Sequence, residues 1–172
     1  MSWTTGKQEP LSAMEIYEIF ERHKLVPEGL VAFLELCKAM SRDARVVRIY
    51  DGDETVAEVI VSGVVQHEVA TVEFIPVPRY FRNGDREMVE NIRAAMDPVF
   101  SYLFMDRKVR RVTSLVTQHR NKTRTALKDL GFTHEGGLED GVQLRGRDPE
   151  TLMVYGMTRR RYLSMKKEVG DV

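Results

Sequence analysis

RVTSLVTQHRNKTRTALKDLGFTHEGGLEDGVQLRGRDPETLMVYGM, residues 111–157, decides how this chain folds. Val112, Leu115 and Val116 form a short apolar run with β-branched members, which predicts a strand. Ala126, Leu127 and Leu130 recur at i, i+1 and i+4 and predict one face of a short helix. Thr123 or Asn121 is placed to cap that helix, because either side-chain oxygen can take a free first-turn amide. Gly131 stands where a left-handed residue ends a helix, and Phe132 is placed to fold back onto it. A second strand, a loop and a third strand complete the stretch.

Leu130-Gly131-Phe132, followed by Glu135-Gly136 and Leu138, resembles the signature of the GNAT superfamily of N-acetyltransferases. The likeness is greatest to the ribosomal-protein-alanine and aminoglycoside acetyltransferase branch. Gly146, Asp148 and Tyr155 stand where that branch has a Gly, an Asp and a strand Tyr. The resemblance is good over this stretch and looser before it. It implies an α/β GNAT fold, a mixed and mostly antiparallel central sheet flanked by helices. It also implies acetyl-CoA as cofactor and direct acetyl transfer to a primary amine: a protein N-terminus, an amino acid or an amino sugar.

Length and composition agree with one domain. The 172 residues are enough chain to bury a sizeable core. Hydrophobic residues make up 42% and charged residues 30%, an ordinary balance for a soluble protein. Lys+Arg and Asp+Glu both number 26, which argues against a dedicated nucleic-acid binder. The single cysteine, Cys37, excludes an intramolecular disulfide and suits a reducing compartment. No apolar run reaches membrane-span length, and residues 1–10 lack the apolar centre of a signal peptide. The expectation is a cytoplasmic protein: a mobile segment over 1–10, one domain over 11–165, and a tail over 166–172. A homodimer stays open.

Upstream, Ser12 and Glu15 form a capping box for a helix over about 12–23. Val26-Pro27-Glu28 predicts the start of a second helix, with Pro27 at its first position. Leu30, Phe33, Leu34 and Cys37 form its apolar stripe, which makes Cys37 a core residue rather than a nucleophile. Strands are predicted over 45–50, 55–65 and 69–77, the first two joined at Asp51-Gly52-Asp53. A long helix follows residue 85, kinked or restarted at Asp97-Pro98.

The resemblance assigns site residues by position. The family's pyrophosphate loop falls on residues 81–86, where only Gly84 matches; Asp85 adds a negative charge beside the phosphates and Arg86 replaces a tiny residue. Arg79, Arg82 and Arg86 would pair with phosphate directly, or else form a solvated loop. Phe74, Ile75 and Val77 would offer strand backbone to the pantetheine arm. Asn121 and Thr123 would contact the cofactor from the next helix, although the family's Asn falls in register on Arg120. Leu127 occupies the position of the usual tyrosine acid.

For proton transfer, Glu73 is the candidate base: a carboxylate inside an otherwise apolar strand has a reason for a raised pKa. The plain alternative is a solvent-facing side chain on an alternating strand. Tyr155 is a candidate donor, or a packed strand aromatic. His119 and His134 flank the expected cleft, and the four histidines lack metal-ligand spacing. The basic run Arg159-Arg160-Arg161 with Lys166 and Lys167 reads as a solvated exit from the last strand. The competing functional reading is a GNAT-fold structural or partner-binding protein without catalysis, motivated by the altered loop at 81–86.

Overall fold

The computed structural model describes residues 3–81 and 85–170. The strands are β1 (Thr4–Thr5), β2 (Glu9–Pro10), β3 (Arg45–Asp51), β4 (Glu54–Ser62), β5 (Val69–Pro76), β6 (Arg111–Thr117), β7 (Thr133–Val142) and β8 (Glu150–Thr158). The helices are α1 (Ala13–Arg22), α2 (Leu30–Met40), α3 (Arg86–Ser101), α4 (Asn121–Asp129) and α5 (Arg159–Gly170). The strands make one mixed sheet in the order β1-β3-β4-β5-β6-β8-β7, with β2 beside β3. Every pairing is antiparallel except β5 with β6, whose crossover contains α3.

Two apolar cores lie on opposite faces of the sheet. On one face, Met88, Ile92 and Met96 of α3, Leu127 of α4 and Tyr162 of α5 pack on Val72, Phe74, Val112 and Met157. On the other, Ile16 and Ile19 of α1 and Phe33 and Cys37 of α2 pack on Val46, Ile60 and Ile75. Cover on both faces explains why Val56 to Ser62 are all buried instead of alternating. Leu127 has no exposed surface, and truncating it to Ala would cost about 2–5 kcal/mol.

The predicted capping box forms: the Ser12 amide donates to Glu15 Oε2 at 2.8 Å and the Glu15 amide to Ser12 Oγ at 3.3 Å. A charged cluster then ties α1 to the sheet. The buried Glu58 carboxylate accepts from Arg22 at 3.2 Å and Arg48 at 3.3 Å, and meets His23 Nε2 at 2.9 Å. Burial pushes the Glu58 carboxyl up, but the His23 bond and the Arg22 charge outweigh it, and the net displacement is downward.

Several sequence expectations are corrected. Pro27 does not begin α2: it pairs as an isolated bridge with Leu144, and the helix starts at Leu30 after Gly29. Of the expected stripe only Phe33 and Cys37 are buried, because Leu30 and Leu34 lie on the outer side. The first ten residues are not simply mobile, since Thr4 and Thr5 pair with Tyr50 and Ile49, and Trp3 packs edge-on against Phe81 at 5.6 Å. The long helix α3 runs through Pro98 and continues into a π turn over Tyr102–Asp106. The basic run is no simple strand exit. It opens α5, which extends to Gly170 through what reads as a tail and sets Tyr162 in the core.

At the helix α4 start the N-cap is Arg120, with no side-chain cap bond, so neither Asn121 nor Thr123 plays the predicted role. Its end follows prediction. Gly131 has φ +96°, and the Phe132 amide returns to the Leu127 carbonyl at 2.9 Å.

Candidate active site

The sheet opens between β5 and β6. Their parallel pairing stops at Thr71 with Thr113, while β5 continues to Pro76 beside β4 and β6 to Thr117 beside β8. In an antiparallel ladder alternate residues direct N–H and C=O at the partner. The Val77 amide donates to the Val56 carbonyl at 2.9 Å. By that alternation Ile75 and Glu73 also direct their backbone at β4; the Val72 amide makes the last bond to β6, and the Val72 carbonyl with the N–H and C=O of Phe74 face the opening. Of the three strand positions expected to meet a cofactor, Phe74 is therefore the one whose backbone faces the gap. Val77 has both backbone groups taken, its carbonyl by Tyr80 at 3.1 Å.

Glu73 lies on the face covered by α1 and α2, between Thr71 and Ile75 and opposite Ile60. Its side chain keeps some exposure yet sits deep in the fold. Burial raises its carboxyl to about 8, against a weaker downward pull from the Arg120 guanidinium. Arg120 stands between β6 and α4; burial lowers its pKa, the Arg147 charge lowers it further, and Glu73 opposes both. Arg120 therefore feels the charge of both Glu73 and Arg147. Sequence reading found Glu73 as an apolar-strand carboxylate but treated Arg120 only as a mismatch and passed over Arg147.

Arg147 also lines a pocket of about 590 Å3, together with Glu28, His119, Gln143, Gly146, Asp148, Pro149 and Glu150. Backbone bonds between two loops build its wall. The Glu28 amide donates to the Gln143 carbonyl at 2.8 Å, and the Arg145 amide to the Val26 carbonyl at 3.0 Å. The displaced Pro27 belongs to this junction through Leu144. Glu150 is buried, with Oε1 accepting from Arg147 at 3.1 Å. The run Gly146-Arg147-Asp148-Pro149-Glu150, a charged turn, is the signal that could have pointed here.

The other candidates lie elsewhere. Tyr155 has no exposed surface, faces the core with α4, lies at a tilt against the His134 ring with centroids 5.3 Å apart, and its hydroxyl accepts from Arg124 Nε at 3.2 Å. This places it on the opposite sheet face from Glu73, where it is packed as a strand aromatic. Thr123 is buried, and Asn121 Oδ1 accepts from Arg124 at 3.2 Å. Lys122 donates to the Pro78 carbonyl and so bridges the α4 start to the end of β5.

At the start of α3, Asp85 is the N-cap and its carboxylate accepts from the Met88 amide at 3.0 Å. Arg86 is almost fully exposed and pairs with Glu90 at 3.1 Å; Arg79 pairs with Glu54 at 3.2 Å. The expected phosphate contacts Arg82 and Gly84 lie outside the described residues.

No protein-family model matches the chain, and no curated protein matches it in sequence. Solved structures match it in fold. The ribosomal-protein-S5-alanine acetyltransferase from Vibrio fischeri superposes with TM-score 0.61 at 18% identity, covering 92% of this chain and 94% of that one. The spermidine N-acetyltransferase from Vibrio cholerae, in complex with CoA and spermine, gives TM-score 0.63 at 15% identity, covering 94% and 98%. The chain has the fold of these two acetyltransferases, a mixed eight-stranded sheet flanked by helices.

Proposed function

We propose that this chain is an acetyl-CoA-dependent N-acetyltransferase acting on a primary amine. The observation that carries the reading is Glu73: a carboxyl on β5 beside the gap in the sheet, raised by burial to about 8. A carboxyl so tuned is matched to taking a proton from an ammonium near neutral pH. The acceptor enters by the pocket between the Val26–Glu28 and Gln143–Glu150 loops. Glu73 takes its proton and leaves a neutral amine with a lone pair.

Acetyl-CoA supplies the activated acetyl group as a thioester. The Phe74 backbone and the Val72 carbonyl, unpaired towards β6, fit its amide-rich pantetheine arm. The same edge offers an N–H to negative charge developing on the carbonyl oxygen. The proton remaining on nitrogen after attack balances the one the departing thiolate needs. Arg82, Gly84 and Arg86 stay as proposed contacts for the phosphates. The buried single cysteine suits the cytoplasm, and among the described residues no helix is long and apolar enough to cross a membrane.

The solved relatives acetylate different acceptors on one fold, so the fold does not choose the amine. Asp85 supports a second reading, a partner-binding scaffold without catalysis, because its carboxylate occupies a helix start that would otherwise attract phosphate. Calorimetric titration with acetyl-CoA, CoA and dephospho-CoA separates the two. Micromolar binding supports the enzyme. No binding of any of the three excludes it.

A further inference from the structure

We infer that the acceptor is a primary amine with a neutral apolar body, an aromatic or branched aliphatic group, which lies on the half of the sheet that α1 and α2 leave bare. Its use as an acceptor rests on the acetyltransferase reading; its seat on the sheet does not. The core under α1 and α2 takes in Val46, Ile60 and Ile75 of β3, β4 and β5, and among the described residues none of β6, β8 or β7. By strand alternation, the same face continues across β6 and β8 through Leu115, Leu152 and Val154. Val112, Val116, Tyr155 and Met157 take the opposite face, in the core with α3, α4 and α5. Leu115, Leu152 and Val154 keep part of their surface and, among the described residues, belong to neither core. Leu138 of β7, opposite Leu152, is 55% exposed.

Sheet register joins this patch to the reacting end. The last pair of β5 with β6 is Thr71 with Thr113. Two residues further along each strand, on the same face, come Glu73 and Leu115, one on each side of the opening. Val154 lies beside Leu115, and Gly136 beside Val154. A Cβ on Gly136 would meet nothing within 4 Å, so the floor is open there. Strand spacing and rise make this floor about 10 Å by about 15 Å, the size of one ring and its side chain. An amine presented to Glu73 therefore carries its carbon body over aliphatic side chains.

The charges of this face are committed at its two ends. Arg111 pairs with Glu135 over Gly156, and Arg147 with the buried Glu150. Between those ends, the described residues that β6, β8 and β7 present to this side are aliphatic residues, threonines and glycines. A second ammonium laid there would lose water and gain no counter-charge, whereas an apolar group gains by leaving water. The area also chooses between an acceptor and a second copy of the chain. A floor on the order of 150 Å2 falls far below the roughly 800 Å2 per partner of a stable protein interface, and it matches a small molecule.

The test is calorimetric titration of the full chain with 2-phenylethylamine, ethylamine and putrescine, each with and without CoA. The first two share the ammonium and differ by the ring; putrescine carries a second ammonium instead. 2-Phenylethylamine is expected to bind at least about tenfold more tightly than either, the worth of burying one face of a ring. Leu138→Thr, at an exposed position, lowers that preference. Adding Val154→Thr, which keeps the branched shape a strand favours, removes most of it. Equal binding of the three probes to the unaltered chain overturns the inference, as does a ring preference unchanged by Leu138→Thr and by a double variant that melting shows to be folded. A dimer in sedimentation that dissociates on Leu138→Thr overturns it too, because a second copy then covers the floor. Ring preference without any CoA binding keeps this inference and removes the acetyltransferase reading. CoA binding with no ring preference does the reverse.

Discussion

The Glu73 carboxyl and the Arg120 guanidinium interact electrostatically across the opening where β5 and β6 part. One group ends up harder to ionise than in water and the other easier to discharge, because both lose solvent on folding. Glu73 stands beside the gap expected to hold the thioester, and Arg120 in turn feels the charge of Arg147, which lines the pocket expected to hold the amine.

If Glu73 is the base, only its ionised form works. The ratio kcat/KM should therefore rise with pH and level off above about 8. Glu73→Gln should lower turnover by about a hundredfold and leave CoA affinity little changed. Initial rates across pH, with calorimetry for the cofactor, check this; undiminished turnover removes Glu73 from the mechanism.

The same group has a consequence for stability. Its folded pKa of about 8 lies above the ordinary value of 4.5, so the folded state holds the proton more tightly. That contribution is complete below the ordinary value and is lost as pH climbs through 8. Melting temperatures from about pH 5 to about pH 9 should fall more steeply for the unaltered chain than for Glu73→Gln, whose amide does not titrate.

Arg120 acts on Glu73 through charge. Arg120→Met keeps the bulk and removes the charge, so the Glu73 pKa should rise and the acidic limb of the rate profile move up by about one pH unit. Arg120→Lys keeps the charge and should leave the limb in place. A limb unmoved by Met would show that Arg120 only packs.

Asp85 opposes an anion at the start of α3. Asn caps a helix nearly as well as Asp but carries no charge. Asp85→Asn should tighten CoA about two- to fivefold without loss of stability. Calorimetry with both proteins measures it, and weaker binding would place the phosphates elsewhere.

Gly131 holds φ +96°, and a Cβ there would run into the Met165 side chain of α5. Gly131→Ala should destabilise the chain by about 1–3 kcal/mol in denaturant titration. Rate constants per folded molecule should be unchanged, because the residue is remote from Glu73.

Much of the fold was legible. The capping box, the Leu130-Gly131-Phe132 helix stop and the order of helices and strands rest on local chemistry, and the structure keeps them. Glu73 was legible too, since a carboxylate between Val72 and Phe74 contradicts its strand. Less was legible where distant segments compete. Pro27 suits a helix start, yet the bridge to Leu144 and the loop bonds around it hold it outside. Thr5 pairs with Ile49 although its own segment has no strand pattern. α5 is rich in charge, and only its seat on Gly131 and the core through Met165 and Tyr162 explains it as a packed helix.

By itself the sequence determined the elements whose cause is local: caps, glycine stops, apolar periodicity, and a lone carboxylate set in an apolar strand. The tertiary structure alone decided where β5 leaves β6, which backbone groups that parting exposes, and that Tyr155 and Glu73 face opposite ways. It also brought Glu28, His119 and the 146–150 turn from separate segments to one pocket. The reason is physical: hydrogen-bond register, burial and charge coupling depend on which residues meet in space, and spacing along the chain does not encode that meeting.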